Sequence, residues 1–135
     1  MQFDDLPAQI KAFAEDERAT VVVDVEGLVV YMNAPAEKLL GVDADDMVGE
    51  FVELLVPEKK RWGHQAYRRG YFAEPREREM DPGLYPEAER PDGTIVPVSG
   101  MLEPVRVDGV LYGAVHLTER ERKPGEEATP DSSPA

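Results

Sequence analysis

None of the 135 residues is a cysteine. Disulfides, thiolate metal sites, iron–sulfur clusters and cysteine nucleophiles are therefore excluded. Flavin photochemistry that forms a cysteinyl adduct is excluded for the same reason. A chain without cysteine fits a reducing compartment, so we expect the protein to be cytoplasmic.

Basic residues are scarce relative to acidic ones. The chain has 15 Lys and Arg against 28 Asp and Glu, a formal net charge of −13 at pH 7. Duplex nucleic acid is bound largely by neutralising phosphates with Lys and Arg, and anionic membrane surfaces attract basic segments. Long hydrophobic runs and a basic N-terminal region are missing too, so we predict no signal peptide and no membrane span. We expect neither nucleic acid nor a membrane as a partner.

The N-terminal third contains a short helix signal followed by strand signals. Leu6, Ile10 and Phe13 recur at helical spacing and predict an amphipathic helix. The β-branched run 20–25 and the apolar run 28–32, joined by Glu26-Gly27, predict an antiparallel hairpin.

The middle of the chain predicts short helices and one long helix. Asn33 is expected to cap a helix that ends at Gly41, and residues 43–47 predict another short helix. Residues 57–72, rich in Lys, Arg and aromatic side chains, predict the longest helix.

The C-terminal part predicts two further strands and a tail. A strand is expected from Thr94 to about Pro104, then a hairpin at Asp108-Gly109 and an alternating strand over 110–117. Residues 123–135 (KPGEEATPDSSPA) contain too few apolar side chains to order themselves. We therefore divide the chain into an N-terminal helix (1–17), one domain (18–122) and a disordered tail (123–135).

Several motifs, in this order, resemble the PAS family. Residues 21–41 follow that family's pattern of strand, acidic-Gly turn, strand and N-x-x-A-x-x-L-x-G. The similarity continues through Met47-Val48-Gly49, 54–58, Asp92-Gly93 and 117–120. The resemblance implies an α+β PAS fold, in which short helices flank a five-stranded antiparallel sheet and a cavity lies behind one face. The N-terminal amphipathic helix is expected in addition to it.

The resemblance implies a sensory or interaction module in signal transduction and not an enzyme, so we assign no catalytic residues. We expect a stand-alone module that forms a homodimer through the N-terminal helix and the outer sheet face. Where the family often has Asp-Ile/Leu-Thr before an output helix, this chain has His116-Leu117-Thr118. No kinase, cyclase or DNA-binding segment follows Arg122, so we expect a separate protein to carry the output.

The alternative interpretation is a haem- or small-ligand-binding sensor. His64, Tyr67 and Tyr71 are spaced to share one helix face. Together with residues 55–58 they are similar to the haem-binding PAS domains of oxygen-sensor histidine kinases, which implies His64 as the proximal iron ligand. The position of that family's distal arginine is occupied by Leu84, which cannot hydrogen-bond dioxygen. A purely structural role is the other interpretation of His64.

Two more residues have alternative interpretations. Trp62 is expected to be a core anchor packed against Phe51, or else a cap over a ligand. His116 is expected to be a partly exposed strand residue, or else a second cavity ligand. The candidate cavity-lining residues are His64, Tyr67, Tyr71, Trp62, Leu84 and Met101. His64 is the one candidate metal ligand, and only for haem.

Overall fold

The structure is a computed structural model that describes residues 5–80, 83 and 85–131. The α-helices are α1 (Ala8–Lys11), α2 (Ala34–Leu40), α3 (Ala44–Met47) and α4 (Glu58–Ala73), with 3-10 helices at Ala12–Glu15 and Val52–Leu55. The strands are β1 (Ala19–Asp24), β2 (Val29–Met32), β3 (Arg78–Glu79), β4 (Glu87–Glu89), β5 (Ile95–Val107) and β6 (Val110–Glu119).

All strand pairs in the sheet are antiparallel, in the order β2-β1-β6-β5-β3, and β4 also pairs with β5. β1 lies beside β6, with Ala19 opposite Leu117 and Asp24 opposite Tyr112. The two ends of the domain therefore meet at the centre of the sheet. This pairing confirms the α+β fold that the sequence predicted.

Within the described residues the sheet has six strands, where the sequence predicted five. β5 is 13 residues long and pairs with β6 along one edge. Its other edge is divided, because β4 pairs with residues 95–97 and β3 pairs with residues 101–102. β3 and β4 are only two and three residues long, and they lie in a charged, proline-rich segment whose sequence carries no strand signal.

The hairpin turns have the backbone geometry that their sequences predicted. In the β1–β2 turn, Gly27 has a φ of +93°, and the Asp24 carboxylate accepts hydrogen bonds from the backbone N–H groups of Glu26 and Leu28. In the β5–β6 turn, Asp108 and Gly109 have φ values of +50° and +81°. Two consecutive positive φ angles are what a tight two-residue hairpin turn requires.

Alternating side chains in β1 face different neighbours. Val21 and Val23 belong to the main core, which the sheet shares with the helices. Val22 points to the opposite face, where it packs with Leu6 and Ile10. The N-terminal helical segment therefore covers the outer face of its own sheet. The apolar stripe of Leu6, Ile10 and Phe13 therefore packs on the sheet of its own chain.

Asn33 connects the N-terminal segment to the domain. Its side chain is 1% exposed, and Oδ1 accepts hydrogen bonds from the N–H groups of Thr20 and Ala36. The amide Nδ2 donates to the carbonyl oxygens of Phe13 and Arg18. The predicted cap of α2 is confirmed, and the same residue also fixes the chain that leads into β1.

The segment 123–131 lies against the domain, which differs from the disordered tail expected from its composition. Thr129 is buried and donates hydrogen bonds to the carboxylate of Glu87 from both its N–H and its hydroxyl group. Asp131 accepts a hydrogen bond of 2.9 Å from the backbone N–H of Ile95. These contacts of Thr129 and Asp131 are hydrogen bonds, which a composition argument based on hydrophobic burial could not anticipate.

Candidate functional site

A cavity of about 290 Å³ lies between α4 and the inner face of the sheet. Alternate residues of three strands form its aliphatic wall: Val21, Val23, Val98, Leu102, Val115 and Leu117. The opposite wall is formed largely by α4, through His64, Tyr67, Arg68, Tyr71 and Phe72. Pockets that hold drug-sized ligands are typically about 300–1,000 Å³, so this cavity suits a smaller molecule.

The helical period explains which predicted residues reach the cavity. His64, Tyr67 and Tyr71 are three and four residues apart and line it together, as predicted. Trp62 precedes His64 by two positions, which places it about 200° round the helix. Its side chain is 84% exposed, so the prediction of a core anchor or ligand cap is wrong. The large indole of Trp62 suggested burial, but its angular position on α4 directs the side chain away from the cavity.

Neither Met101 nor His116 is a cavity residue. The two are cross-strand partners and therefore share the outer face of the sheet, whereas their neighbours Leu102, Val115 and Leu117 face the cavity. Met101 is 40% exposed. The remaining predicted cavity residue, Leu84, lies outside the described residues.

His116 is buried, and not partly exposed as the sequence suggested. It is 4% exposed, its Nδ1 lies 2.9 Å from the Thr20 hydroxyl, and its ring lies 5.5 Å from that of Phe13. Nε2 lies 3.5 Å from a carboxylate oxygen of Glu103. The N-terminal segment covers the ring, which explains why a strand position predicted to face solvent is buried.

A buried ionic cluster holds α4 beside the cavity. Glu53, in the 3-10 helix before α4, accepts two hydrogen bonds of 3.0 Å from the guanidinium of Arg68. It also accepts one of 2.7 Å from Nδ1 of His64, which donates because an ionised carboxylate has no proton to give. Glu53 and Arg68 are 8% and 7% exposed. The bidentate geometry fixes the rotation of α4 relative to the preceding turn.

Two opposing effects set the pKa of Glu53. Burial raises the pKa, but the hydrogen bonds from His64 and Arg68 outweigh it and lower the pKa to about 2. Glu53 is therefore an anion at neutral pH. Sequence reasoning missed it, because no spacing rule relates this residue to a partner 15 positions away.

A second buried carboxylate joins the cavity wall to the segment after β6. Glu87 lines the cavity and lies 2.7 Å from Nζ of Lys60, another lining residue. The same carboxylate binds Arg122 and Thr129 beyond the last strand. Burial raises the pKa of Glu87, but the hydrogen bonds from Lys60, Thr129 and Arg122 lower it to about 2. The sequence carried no signal for this link either.

The donors around the cavity meet the chemical requirement for haem only in part. The hydrogen bond from His64 Nδ1–H to Glu53 leaves Nε2 as the iron-binding atom, the arrangement that metal-binding histidines usually have. A porphyrin with its propionates, however, is larger than the ligands that occupy pockets of this volume. Haem therefore does not fit the cavity as it stands. The described part of the chain contains no group of three or more His, Asp or Glu side chains that could hold a metal ion.

The fold and the cavity together define a class of small α+β domain, in which one sheet face and a helix enclose a ligand-sized space. The comparisons with known proteins agree with this class. Residues 17–112 match the family model described as the PAS fold. This chain belongs to the PAS family, whose members are generally sensory, non-catalytic modules found in sensor proteins.

Solved PAS structures are similar to this chain in fold at low sequence identity. The PAS domain of an HTR-like protein from Haloarcula marismortui has a TM-score of 0.66 and 18% identity, covering 80% of this chain and 85% of its own. The LOV protein of Rhodobacter sphaeroides has a TM-score of 0.70 and 21% identity, and the match covers 84% of this chain and 66% of that protein. Cycle PAS-B of Drosophila melanogaster, solved with bound ethylene glycol, has a TM-score of 0.64 and 8% identity. That match covers 76% of this chain and 99% of the PAS-B domain.

Within the described residues, each helix is too short or too polar to cross a lipid bilayer.

Proposed function

We propose that this chain is a cytoplasmic, non-catalytic PAS sensor that binds a small apolar molecule between α4 and the sheet. The observation that carries the proposal is the cavity of about 290 Å³ with its aliphatic wall. Apolar cavities of about 150 Å³ are known to bind benzene, so this volume is ample for a ligand of that kind.

We propose that Glu87 transmits the effect of ligand binding from the cavity to the segment after β6. Lys60 of α4 and Glu87 both line the cavity, and Glu87 also binds Arg122 and Thr129. A ligand that displaces α4 therefore acts on an ion pair shared with the segment after β6. We propose that a separate signalling protein recognises this segment.

Benzene is the probe that tests whether the cavity binds ligands. We expect it to bind the wild-type chain and to shift the backbone NMR signals of α4 and of residues 120–131. Val115→Phe should prevent binding, because the phenyl ring projects from β6 into the cavity. Val25→Phe is the matched control, since Val25 is 52% exposed in the β1–β2 turn and does not line the cavity.

Benzene is titrated into the wild-type chain, the cavity variant and the control variant, and circular dichroism verifies that all three are folded. Failure of benzene to bind the wild-type chain would contradict the proposal, and so would equal binding to Val115→Phe. Benzene binding that leaves the signals of residues 120–131 unchanged would refute the route through Glu87.

We do not propose the haem sensor suggested by the sequence, with His64 as the axial ligand, because the cavity is too small for haem although a 2.7 Å hydrogen bond orients the imidazole. An absorption spectrum before and after addition of haem tests it. A Soret band that disappears in His64→Ala would support this function, whereas absence of a band in the wild-type protein removes it. Because the cavity is small, we expect no band.

We also propose that the chain forms a homodimer through the outer face of the sheet and the N-terminal helix. Met101 on the outer sheet face and Val110 at the β5–β6 hairpin are 40% and 51% exposed. Sedimentation equilibrium of the full chain tests this, and a monomer at all concentrations would contradict it.

A further inference from the structure

The hydroxyl group of Tyr71 is a buried hydrogen-bonding group beside the cavity. Tyr71 is 6% exposed and lines the cavity, and among the described residues its hydroxyl oxygen has no hydrogen-bond partner. Buried tyrosine hydroxyls usually have a partner, and an exception in a folded protein needs an explanation. A bound molecule that takes this hydrogen bond is the explanation that also accounts for the adjacent cavity.

The surroundings of Tyr71 hold its ring in place. The ring meets Phe72 edge to face, with centroids 5.6 Å apart and an interplanar angle of 76°. Beneath both rings lies Gly113 of β6, where an added Cβ would stand 3.2 Å from Phe72 and 3.6 Å from Tyr71. A glycine on the cavity face of β6 therefore leaves room for the two rings. Packing holds the ring, and the hydroxyl has no hydrogen-bond partner within the part of the chain that the structure describes.

The protonation of Tyr71 determines which hydrogen bond it makes. Burial raises the pKa of Tyr71 to about 12. At neutral pH the side chain is an uncharged phenol, which donates its proton to an oxygen or nitrogen acceptor.

Two of the three Lys and Arg side chains that line the cavity are paired with carboxylates. Lys60 Nζ lies 2.7 Å from Glu87 Oε1, and Arg68 Nη2 lies 3.0 Å from Glu53 Oε1. Lys59, the other lining cation, is solvent-exposed. A charged ligand would be desolvated in an apolar cavity without a counter-ion, which is strongly unfavourable. The cavity therefore favours an uncharged ligand.

We propose that the cavity binds a small, neutral, mainly apolar molecule whose single carbonyl or hydroxyl oxygen accepts a hydrogen bond from Tyr71. This inference rests on the proposed function and adds the chemical class of the ligand and the residue that selects it. The aliphatic wall contributes most of the contact area, and Tyr71 distinguishes an oxygenated ligand from a hydrocarbon of the same shape.

Acetophenone and ethylbenzene form a matched pair of probes, because they have nearly the same shape and only acetophenone has a carbonyl oxygen. We expect the full chain to bind acetophenone more tightly in NMR titrations. Tyr71→Phe should weaken acetophenone binding by roughly 3- to 10-fold, the equivalent of one neutral hydrogen bond, and leave ethylbenzene binding unchanged. Tyr112→Phe is the control, because Tyr112 packs on the outer face of the sheet.

The outcomes separate this inference from the proposed function. If neither acetophenone nor ethylbenzene binds the wild-type chain, the cavity is not a ligand site, which contradicts both the inference about Tyr71 and the proposed function. If both bind equally and Tyr71→Phe changes neither, the role of Tyr71 is refuted while cavity binding stands. Benzoate, the anionic analogue, should bind more weakly than acetophenone, and tighter binding of benzoate would overturn the inference of a neutral ligand.

Discussion

Glu53→Ala is expected to destabilise the protein by about 3–5 kcal/mol, because it leaves the guanidinium of Arg68 buried without a counter-ion. Arg68 is 7% exposed and both of its bonds to Glu53 are 3.0 Å long. His64 loses its acceptor in the same variant. Urea unfolding at pH 7, followed by circular dichroism, measures the loss.

Glu50→Ala is the matched control for this substitution. Glu50 is an exposed acidic residue three positions earlier in the same segment. Exposed substitutions of this kind usually change the free energy of unfolding by less than about 0.5 kcal/mol. Equal losses in the two variants would show that the cluster does not stabilise the fold.

The acid sensitivity of the protein provides a second measurement on Glu53. Its pKa is lowered from an ordinary value of 4.5 to about 2, so the folded state favours the anion. The resulting stabilisation is fully present above pH 4.5 and is lost as the pH falls from 4.5 towards 2. Glu53→Ala lacks this contribution, so its stability should depend less on pH across that interval. Equal slopes in wild type and variant would contradict the assigned pKa.

The features that the sequence predicted correctly are those that depend on neighbouring residues. Gly27 and Asp108-Gly109 specify turns through backbone angles that only certain residues adopt readily, and Asn33 caps the helix that follows it directly. Such local rules gave the order of the elements except for the short strands β3 and β4.

The charged part of the site could not be predicted in this way. Among 28 acidic residues, nothing local distinguishes Glu53 or Glu87 from those on the surface. Their burial depends on partners such as Arg68 and Thr129, which are 15 and 42 positions away. Trp62 shows the opposite limitation, since its residue type suggested burial although its place on α4 exposes it. The face of α4 that carries His64, Tyr67 and Tyr71 was predictable because helical spacing fixes it.

Gly27→Ala is expected to be at least as damaging as the loss of Glu53, at about 3–7 kcal/mol in total. A Cβ at position 27 would collide with the guanidinium of Arg68, and the positive φ of +93° adds backbone strain of about 1–3 kcal/mol. The end of an arginine side chain is usually able to move away from such a contact. Here it can move only by leaving Glu53, so the collision becomes the loss of a buried ion pair.

A double-mutant cycle separates strain from collision. Gly49 has nearly the same φ, +92°, with no atom within 4 Å of an added Cβ, so Gly49→Ala reports backbone strain alone. We expect Gly27→Ala to cost about 2–4 kcal/mol more than Gly49→Ala in the wild-type background, the part due to the ion pair. In an Arg68→Ala background this excess should vanish, because the three atoms nearest to the added Cβ all belong to the Arg68 guanidinium. An excess that persists without Arg68 would mean that the β1–β2 turn and α4 are not coupled through this side chain, and that another contact holds α4 over the cavity.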